Sequence, residues 1–504
     1  MRFLLIALLS ITICPAQQRI SAGNAASLAA TVAPGSILDI QQLQPPRIIG
    51  NPDPNRVSVQ VRPAGSSSEI NAPLLAGSFL SIWAQLPPET PLGQAEVTLT
   101  VDGQKSAPAA ITVANSSFGI FTQARNGLGP AIAQNQESER APALNQLTNP
   151  ALPNQYVILW GTGLGSARTS DVTVELGGRD IAPSYAGRAP DFPGVDQINF
   201  QIPPGLGAPD GCDVSVIVRV GDNPSNQATL SKAAVPGVCD HPLGLSAAEM
   251  ATLDAGGRVL FATALLQSNL SPPPRTESAA AQFLRRSALD IALLAQPLMA
   301  QDRYFGCSST GRLGLTGVIF SADVDAGESL NLSGPGKTVS IPRSALGGLY
   351  AVNLDPPALD PGTWRFAGPG GATIGPFEID IIVPPGIRWT NRDELAGIDR
   401  LQDQTVRWDP SGYTDADVVF VTLSLVSPGT SGIVCRTPAP AGSLTIPASL
   451  LQSLPSTSQP FDLQLAIRPR PNRRVVFPLP LRDSTTARGL IEYSYSESVR
   501  VRLR

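Results

Sequence analysis

The sequence predicts an all-β chain of tandem immunoglobulin-like β-sandwich domains with few short helices. Three observations predict it. Apolar and polar residues alternate at period two in many short stretches. Proline and glycine punctuate those stretches. One block of the chain occurs twice in recognisable form.

The alternation is plain in "VTLTV" (97–101), "DVTVEL" (171–176), "DVSVIVRV" (213–220), "DVVFVTLSLV" (417–426) and "FDLQLAI" (461–467). Each puts its apolar residues on one face of an extended strand and is rich in Val, Ile or Thr, which suit a pleated, half-buried surface. Turn signals separate the strands: Asp102-Gly103, Gly177-Gly178, Gly221-Asp222 and Gly347-Gly348. Many short strands joined by such turns indicate sandwiches. Proline (49) and glycine (46) are about a fifth of the 504 residues, below the roughly 25–30% of low-complexity chains. They read as turns, not as disorder. Helical signals are few. "SAAEMATL" (246–253) opens with a capping box, Ser246 with Glu249. In "ESAAAQFLRRSALDIALLAQ" (277–296) alanine and leucine favour helix, yet "RVLFATALLQ" (258–267) can pair with its first half as a hairpin; of the two readings we favour a strand followed by a short helix.

The repeat aligns "IWAQLPPETPLGQAEVTLTV" (82–101) with "INFQIPPGLGAPDGCDVSVIVRV" (198–220). Each copy has a strand, a double proline, a glycine-containing loop and a long alternating strand. "APGSILDI" (33–40) precedes one copy and "LPNQYVIL" (152–159) the other. At about 100–200 residues per domain the length allows three to five domains. The plan is a signal peptide over 1–16, sandwich one over 17–117, sandwich two over 118–238, a β-rich third domain over 245–383 and a β-sandwich fourth domain over 384–504. "VPGVCDHPLG" (235–244) reads as a linker, and Pro384-Pro385 marks the last boundary.

Export is expected from the start of the chain. Arg2 supplies a positive n-region, Phe3 to Ile13 an apolar run, and Ala16 a small residue before the cleavage point. The run is shorter than the roughly 20 residues a bilayer span needs. Ile13 stands where a lipoprotein signal wants a small residue, so Cys14 is the weaker anchor reading. No later stretch is apolar enough to be a transmembrane anchor. The expected location is extracellular, cell-surface or periplasmic. Charged residues are only 15% of the chain and the net charge is −4. That gives no general drive toward nucleic acid.

Beyond the signal peptide there are four cysteines, Cys212, Cys239, Cys307 and Cys435. In an oxidising compartment two disulfides are expected. Of the three possible pairings we favour Cys212–Cys239, which bracket the last strands of sandwich two, and Cys307–Cys435, which would staple the third domain to the fourth. Buried free thiols and metal ligation are the alternatives. Against metal, no C-x-x-C occurs, and His241 is the only histidine.

An ordered set of motifs carries a resemblance. "NAAS" (24–27), "APGSI" (33–37), "GIFT" (119–122), "GLGPAIAQN" (127–135), "WGTGLG" (160–165), "YAGRAPDFPGVDQINFQIP" (185–203) and "SN" (225–226) follow one another. Over about residues 20–232 the chain resembles the Solibacter-type domain of exported acidobacterial proteins, with repeats similar to the IPT/TIG immunoglobulin-like domain. The later segments 387–400 and 433–455 are similar to a C-terminal region of the same relatives. The resemblance implies a fold, an export route and an envelope or extracellular setting. It implies no catalytic residue. Two departures stand out. The domain is N-terminal here, and Ser81-Ile82-Trp83 replaces Gln197-Ile198-Asn199 in the first copy.

Candidate chemistry is thin. Gly161, Gly163 and Gly165 form G-x-G-x-G, not the G-x-G-x-x-G of a dinucleotide loop, and an alternating strand follows instead of a helix. They read as an interstrand turn with positive φ. His241 has no G-x-S-x-G serine to serve and reads as linker surface. Asp323, Asp325 and Glu328 could offer oxygens to calcium but lack EF-hand spacing, so a solvated turn is the plainer reading. Trp83, Trp160, Trp364, Trp389 and Trp408 could stack on sugars. One core tryptophan per sandwich is the commoner use. The basic stretches 468–476 and 500–504 could meet an anionic partner or simply protect strand edges. No cofactor or metal is expected. The expected role is an exported, non-catalytic surface or extracellular binding, adhesion or scaffold protein of unknown ligand, with an extracellular glycan or protein as the candidate partners and any ligand site at the loop ends. The alternatives are a carbohydrate binder using exposed aromatics and a secreted hydrolase with its site in domains three and four.

Overall fold

A computed structural model describes residues 20–42, 52–77, 81–137, 140–270, 275–299, 306–310, 324–345, 348–414, 417–425, 432–453, 463–470 and 474–503. The expected signal peptide over 1–16 and Cys14 lie outside the described residues.

The chain is all-β. In the first sandwich a four-stranded sheet runs Ile20–Asn24, Ile37–Gln42, Ser81–Gln85, Leu74–Gly77. It faces a six-stranded sheet centred on Gly93–Val101. Period two decides what lies between them. Leu38, Ile40 and Ile82 from one sheet meet Val59, Val97 and Leu99 from the other, all fully buried. The second sandwich repeats the plan. Tyr156–Thr162 pairs antiparallel with Asp196–Gln201, as Ile37–Gln42 pairs with Ser81–Gln85. Gly211–Val220 pairs with Val172–Leu176, as Gly93–Val101 pairs with Val57–Pro63. Its core joins Val157, Leu159, Ile198 and Phe200 to Val174 and Val216.

The glycine run 161–165 ends the strand Tyr156–Thr162 and lies against the first sandwich. Gly163 and Gly165 have φ of +102° and +61°. A side chain at Gly163 would collide with the Ser117 carbonyl. Asn24 Nδ2 donates to that carbonyl at 2.8 Å, and Thr162 Oγ1 accepts from Ile37 N at 2.9 Å while donating to Gly194 O at 2.6 Å. The run is a turn that joins two domains, not a phosphate loop.

The remainder departs from the expected plan. A ten-stranded sheet has the path Gly306–Thr310, Gly432–Pro438, Val418–Leu425, Leu463–Arg470, Thr486–Leu503, Val259–Leu270, Thr276–Arg286, Leu349–Leu354. Its strands come from both sides of residue 384. Val259–Leu270 lies parallel to Thr486–Leu503 at its centre. One core contains Leu260 and Trp364 together with Val406, Val421 and Tyr495. The boundary at 383/384 therefore does not separate two domains. Pro384-Pro385 is a bend within one unit. Alternation shows which face of a strand is apolar but not which distant strand it joins.

The hairpin of Val259–Leu270 with Thr276–Arg286 forms, and Ala288–Met299 follows as a helix. Ser287 and Asp290 cap its start reciprocally at 3.0 and 3.3 Å. Ser246 and Glu249 do the same for Ala247–Asp254. Among the described residues no helix is long and apolar enough to cross a membrane.

Candidate ligand-binding face

The structure joins Cys212 to Cys239 and Cys307 to Cys435. The second pair links directly opposed residues of neighbouring strands within the ten-stranded sheet, so it ties strands of one unit and not two domains.

Other candidates are structural. His241 is buried, not linker surface. Its Nδ1 accepts from Leu243 N at 3.2 Å, and burial pushes its pKa down to about 4. The surrounding segment packs because Cys239, Leu243 and Leu245 share a cluster with the helix residues Met250 and Leu253. Asp325 locks a turn. It accepts from Ala372 N and Gly327 N at 2.9 and 3.0 Å and pairs with Arg343, and these backbone N–H groups hold its carboxyl below the usual range. Asp323 lies outside the described residues. Arg474 is drawn inward, bonding Leu294 O at 3.0 Å and pairing with Glu492. Among the described residues no cluster of three His, Cys, Asp or Glu side chains could hold a metal ion.

The tryptophans divide into two groups. Trp364, Trp389 and Trp408 are buried in the large core. Trp83 and Trp160 are half-buried on the outer faces of their sheets. Trp83 Nε1 donates to Asp39 at 3.1 Å, and its ring stacks at 5.9 Å on Phe121 of the second sandwich. The backbone of Phe121 bonds that of Trp160, whose own ring meets Phe192 edge-on at 6.1 Å. Aromatic rings thus run from the first sandwich onto the second.

They open onto a sheet face. Because Val157, Leu159, Ile198 and Phe200 point into the core, their neighbours point out. The register sets Trp160 beside Gln197, Ile158 beside Asn199, and Tyr156 beside Gln201. Gln134 lies opposite Ile158, Gln136 opposite Tyr156, and Tyr185 opposite Asn199. These three rows carry five amides and no formal charge. Among the described residues ten large apolar side chains are exposed, and five of them, Ile132, Leu144, Tyr156, Tyr185 and Phe192, fall on or beside this face. The other sheet of the same sandwich presents ions outward, with Arg219 pairing Glu175 and Asp180. Sequence reading singled out Trp160 but not its neighbours. Their common signal is the polar or aromatic residue alternating with core residues in 156–160 and 197–201.

No family model matches the chain, and no curated protein matches it. Three solved structures that it resembles can be named. They are domains 5–6 of the S-layer protein SbsC (11% identity over 44% of this chain and 98% of that one, TM-score 0.21), Bacteroides ovatus mixed-linkage glucan utilization locus SGBP-B in complex with mixed-linkage heptasaccharide (13%, 88% and 93%, 0.14) and the ICAM-5 D1-D4 ectodomain fragment (12%, 96% and 100%, 0.14). At such TM-scores these likenesses carry no argument about function.

Proposed function

We propose that the chain is an exported, non-catalytic binding protein of the envelope or extracellular space, and that the outer face of the second sandwich is its ligand surface. One observation carries this reading. Half of the exposed large apolar side chains among the described residues gather on or beside a single uncharged sheet face, and exposed apolar patches mark interaction sites. The two disulfides support the oxidising compartment that the leader-like start suggests. Loop ends, the expected place for a site, have no comparable patch among the described residues.

The test is cosedimentation with envelopes isolated from the producing cells. The natural chain is expected in the pellet. A Tyr156→Ala, Phe192→Ala chain, altered only at exposed positions, is expected in the supernatant. Equal sedimentation of both would overturn the placement of the site.

A further inference from the structure

The ligand class follows from how the face is built, and this inference rests on the reading of that face as a ligand surface. We infer that it binds an uncharged polysaccharide chain laid over Trp160, Tyr185 and Tyr156.

The first support is electrostatic complementarity. The three rows have no carboxylate, ammonium or guanidinium, while the opposite sheet face has an arginine paired with two carboxylates. An anionic polymer would find no countercharge on these rows. A neutral one would strip water from no fixed charge as it docks.

The second support is the pairing of rings with amides. A pyranose ring has an apolar C–H side and a rim of hydroxyls. An aromatic ring covers the first. The second needs groups that can both donate and accept, and the carboxamide does both while a carboxylate or an ammonium does one. Trp160 Nε1 donates to Gln134 Oε1 at 3.2 Å, which leaves the Gln134 N–H groups for a ligand. Gln197 Nε2 donates to Asn199 Oδ1 at 2.9 Å, which leaves the Gln197 oxygen and the Asn199 N–H groups. Donors at Gln134 and Asn199 and an acceptor at Gln197 therefore lie beside the rings.

The third support is preorganisation. The Tyr185 hydroxyl donates to Arg188 O at 2.7 Å, and its ring lies over Gly187. A Cβ at Gly187 would come within 2.8 Å of the Tyr185 hydroxyl and 3.0 Å of its ring. Glycine is what lets this ring lie against the sheet with its other side outward. A ring held so before binding loses little freedom when the ligand arrives. Trp160 and Tyr156 sit four residues apart on one strand, about 13 Å at the usual rise, a length suited to an oligosaccharide stretch.

The experiment is affinity electrophoresis of the full exported chain in native gels. The gels contain hydroxyethylcellulose, barley β-glucan, xyloglucan or galactomannan, with polygalacturonate as the anionic arm. Retardation by at least one neutral polymer is expected, unchanged at high salt because no ion pairs are involved. Trp160→Ala and Tyr185→Ala are each expected to weaken it about tenfold, the loss usual for a truncated anchor side chain. Tyr156→Ala, at an exposed side chain, weakens it without changing the melting temperature. Failure of every neutral polymer overturns the inference, as does salt-sensitive retardation by polygalacturonate alone. Retardation that survives all three substitutions overturns the location. A concentration-dependent dimer seen by light scattering and lost in Tyr156→Ala, with no retardation, overturns the glycan but leaves a binding face. Absence of retardation together with unchanged envelope cosedimentation of the Tyr156→Ala, Phe192→Ala chain overturns both readings.

Discussion

The Arg188 guanidinium lies 2.9 Å from the carboxylate of Asp196, which is wholly buried, and another of its nitrogens donates to Pro34 O of the first sandwich at 3.0 Å. The other Asp196 oxygen accepts from Leu164 N at 2.7 Å. One buried carboxylate thus holds both the glycine turn and the arginine that reaches the neighbouring domain.

That carboxylate makes stability depend on pH. Burial outweighs Arg188 and the backbone donors and pushes the Asp196 pKa from 3.8 up to about 6. Between those values the folded chain binds more protons than the unfolded one. Its contribution therefore falls as pH rises through the window and is level above it. Relative to Asp196→Asn, the natural chain should lose about 2 kcal/mol between pH 4 and pH 7. Urea denaturation of both proteins across that range measures it, and a constant difference would refute it.

His241 acts in the opposite sense. Burial lowers its pKa from 6.5 to about 4, so as pH falls the unfolded chain takes up the proton first. Its contribution is complete above pH 6.5 and is lost as pH drops toward 4. It is the only imidazole in the chain, so its C2 proton gives one assignable NMR signal. A titration midpoint near 4 is expected. One near 6.5 would mean an exposed linker.

The turn at Gly163 should tolerate alanine poorly. Its φ of +102° and the Ser117 carbonyl both oppose a Cβ. Gly221 is a fair control, with φ of +58° and open space around it. Gly221→Ala should cost about 1–2 kcal/mol from backbone conformation alone. Gly163→Ala should cost more, and equal shifts in thermal melting would show that the interdomain contact does not constrain the turn.

Replacing Cys307 and Cys435 by alanine opens a loop of 128 residues. The loss should be about 2–5 kcal/mol, at the upper end if chain entropy dominates. The same change at Cys212 and Cys239, 27 residues apart, should cost less. Urea midpoints of the two variants give the order, and mass mapping of unreduced peptides checks the pairing. A larger loss at the shorter loop would rule out the entropic account.

Much of the fold was legible. Val97 and Leu99 alternate with threonines in "VTLTV" and are buried as period two requires. The matching strand pairs of the two sandwiches were visible as a repeat because their turns recur with them. The candidate face was harder to see. Gln134, Trp160, Gln197 and Tyr185 come from four strands, and only register brings them into adjacent rows. His241 was misread because its segment has the composition of a loop. Its segment is drawn inward because Leu243 and Leu245, its near neighbours, pack with Cys212, Cys239 and the helix residues Met250 and Leu253.

By itself the sequence determined what local chemistry controls: extended strands, their apolar sides, the positive-φ turns and the capping box of one helix. The tertiary structure decided the rest. It placed Val259–Leu270 beside Thr486–Leu503, across more than two hundred residues, and so merged two expected domains into one. It buried three tryptophans and left two on outer faces. The reason is physical. A strand's own residues specify which side avoids water, while partner, register and cover are settled by contacts between residues far apart in the chain.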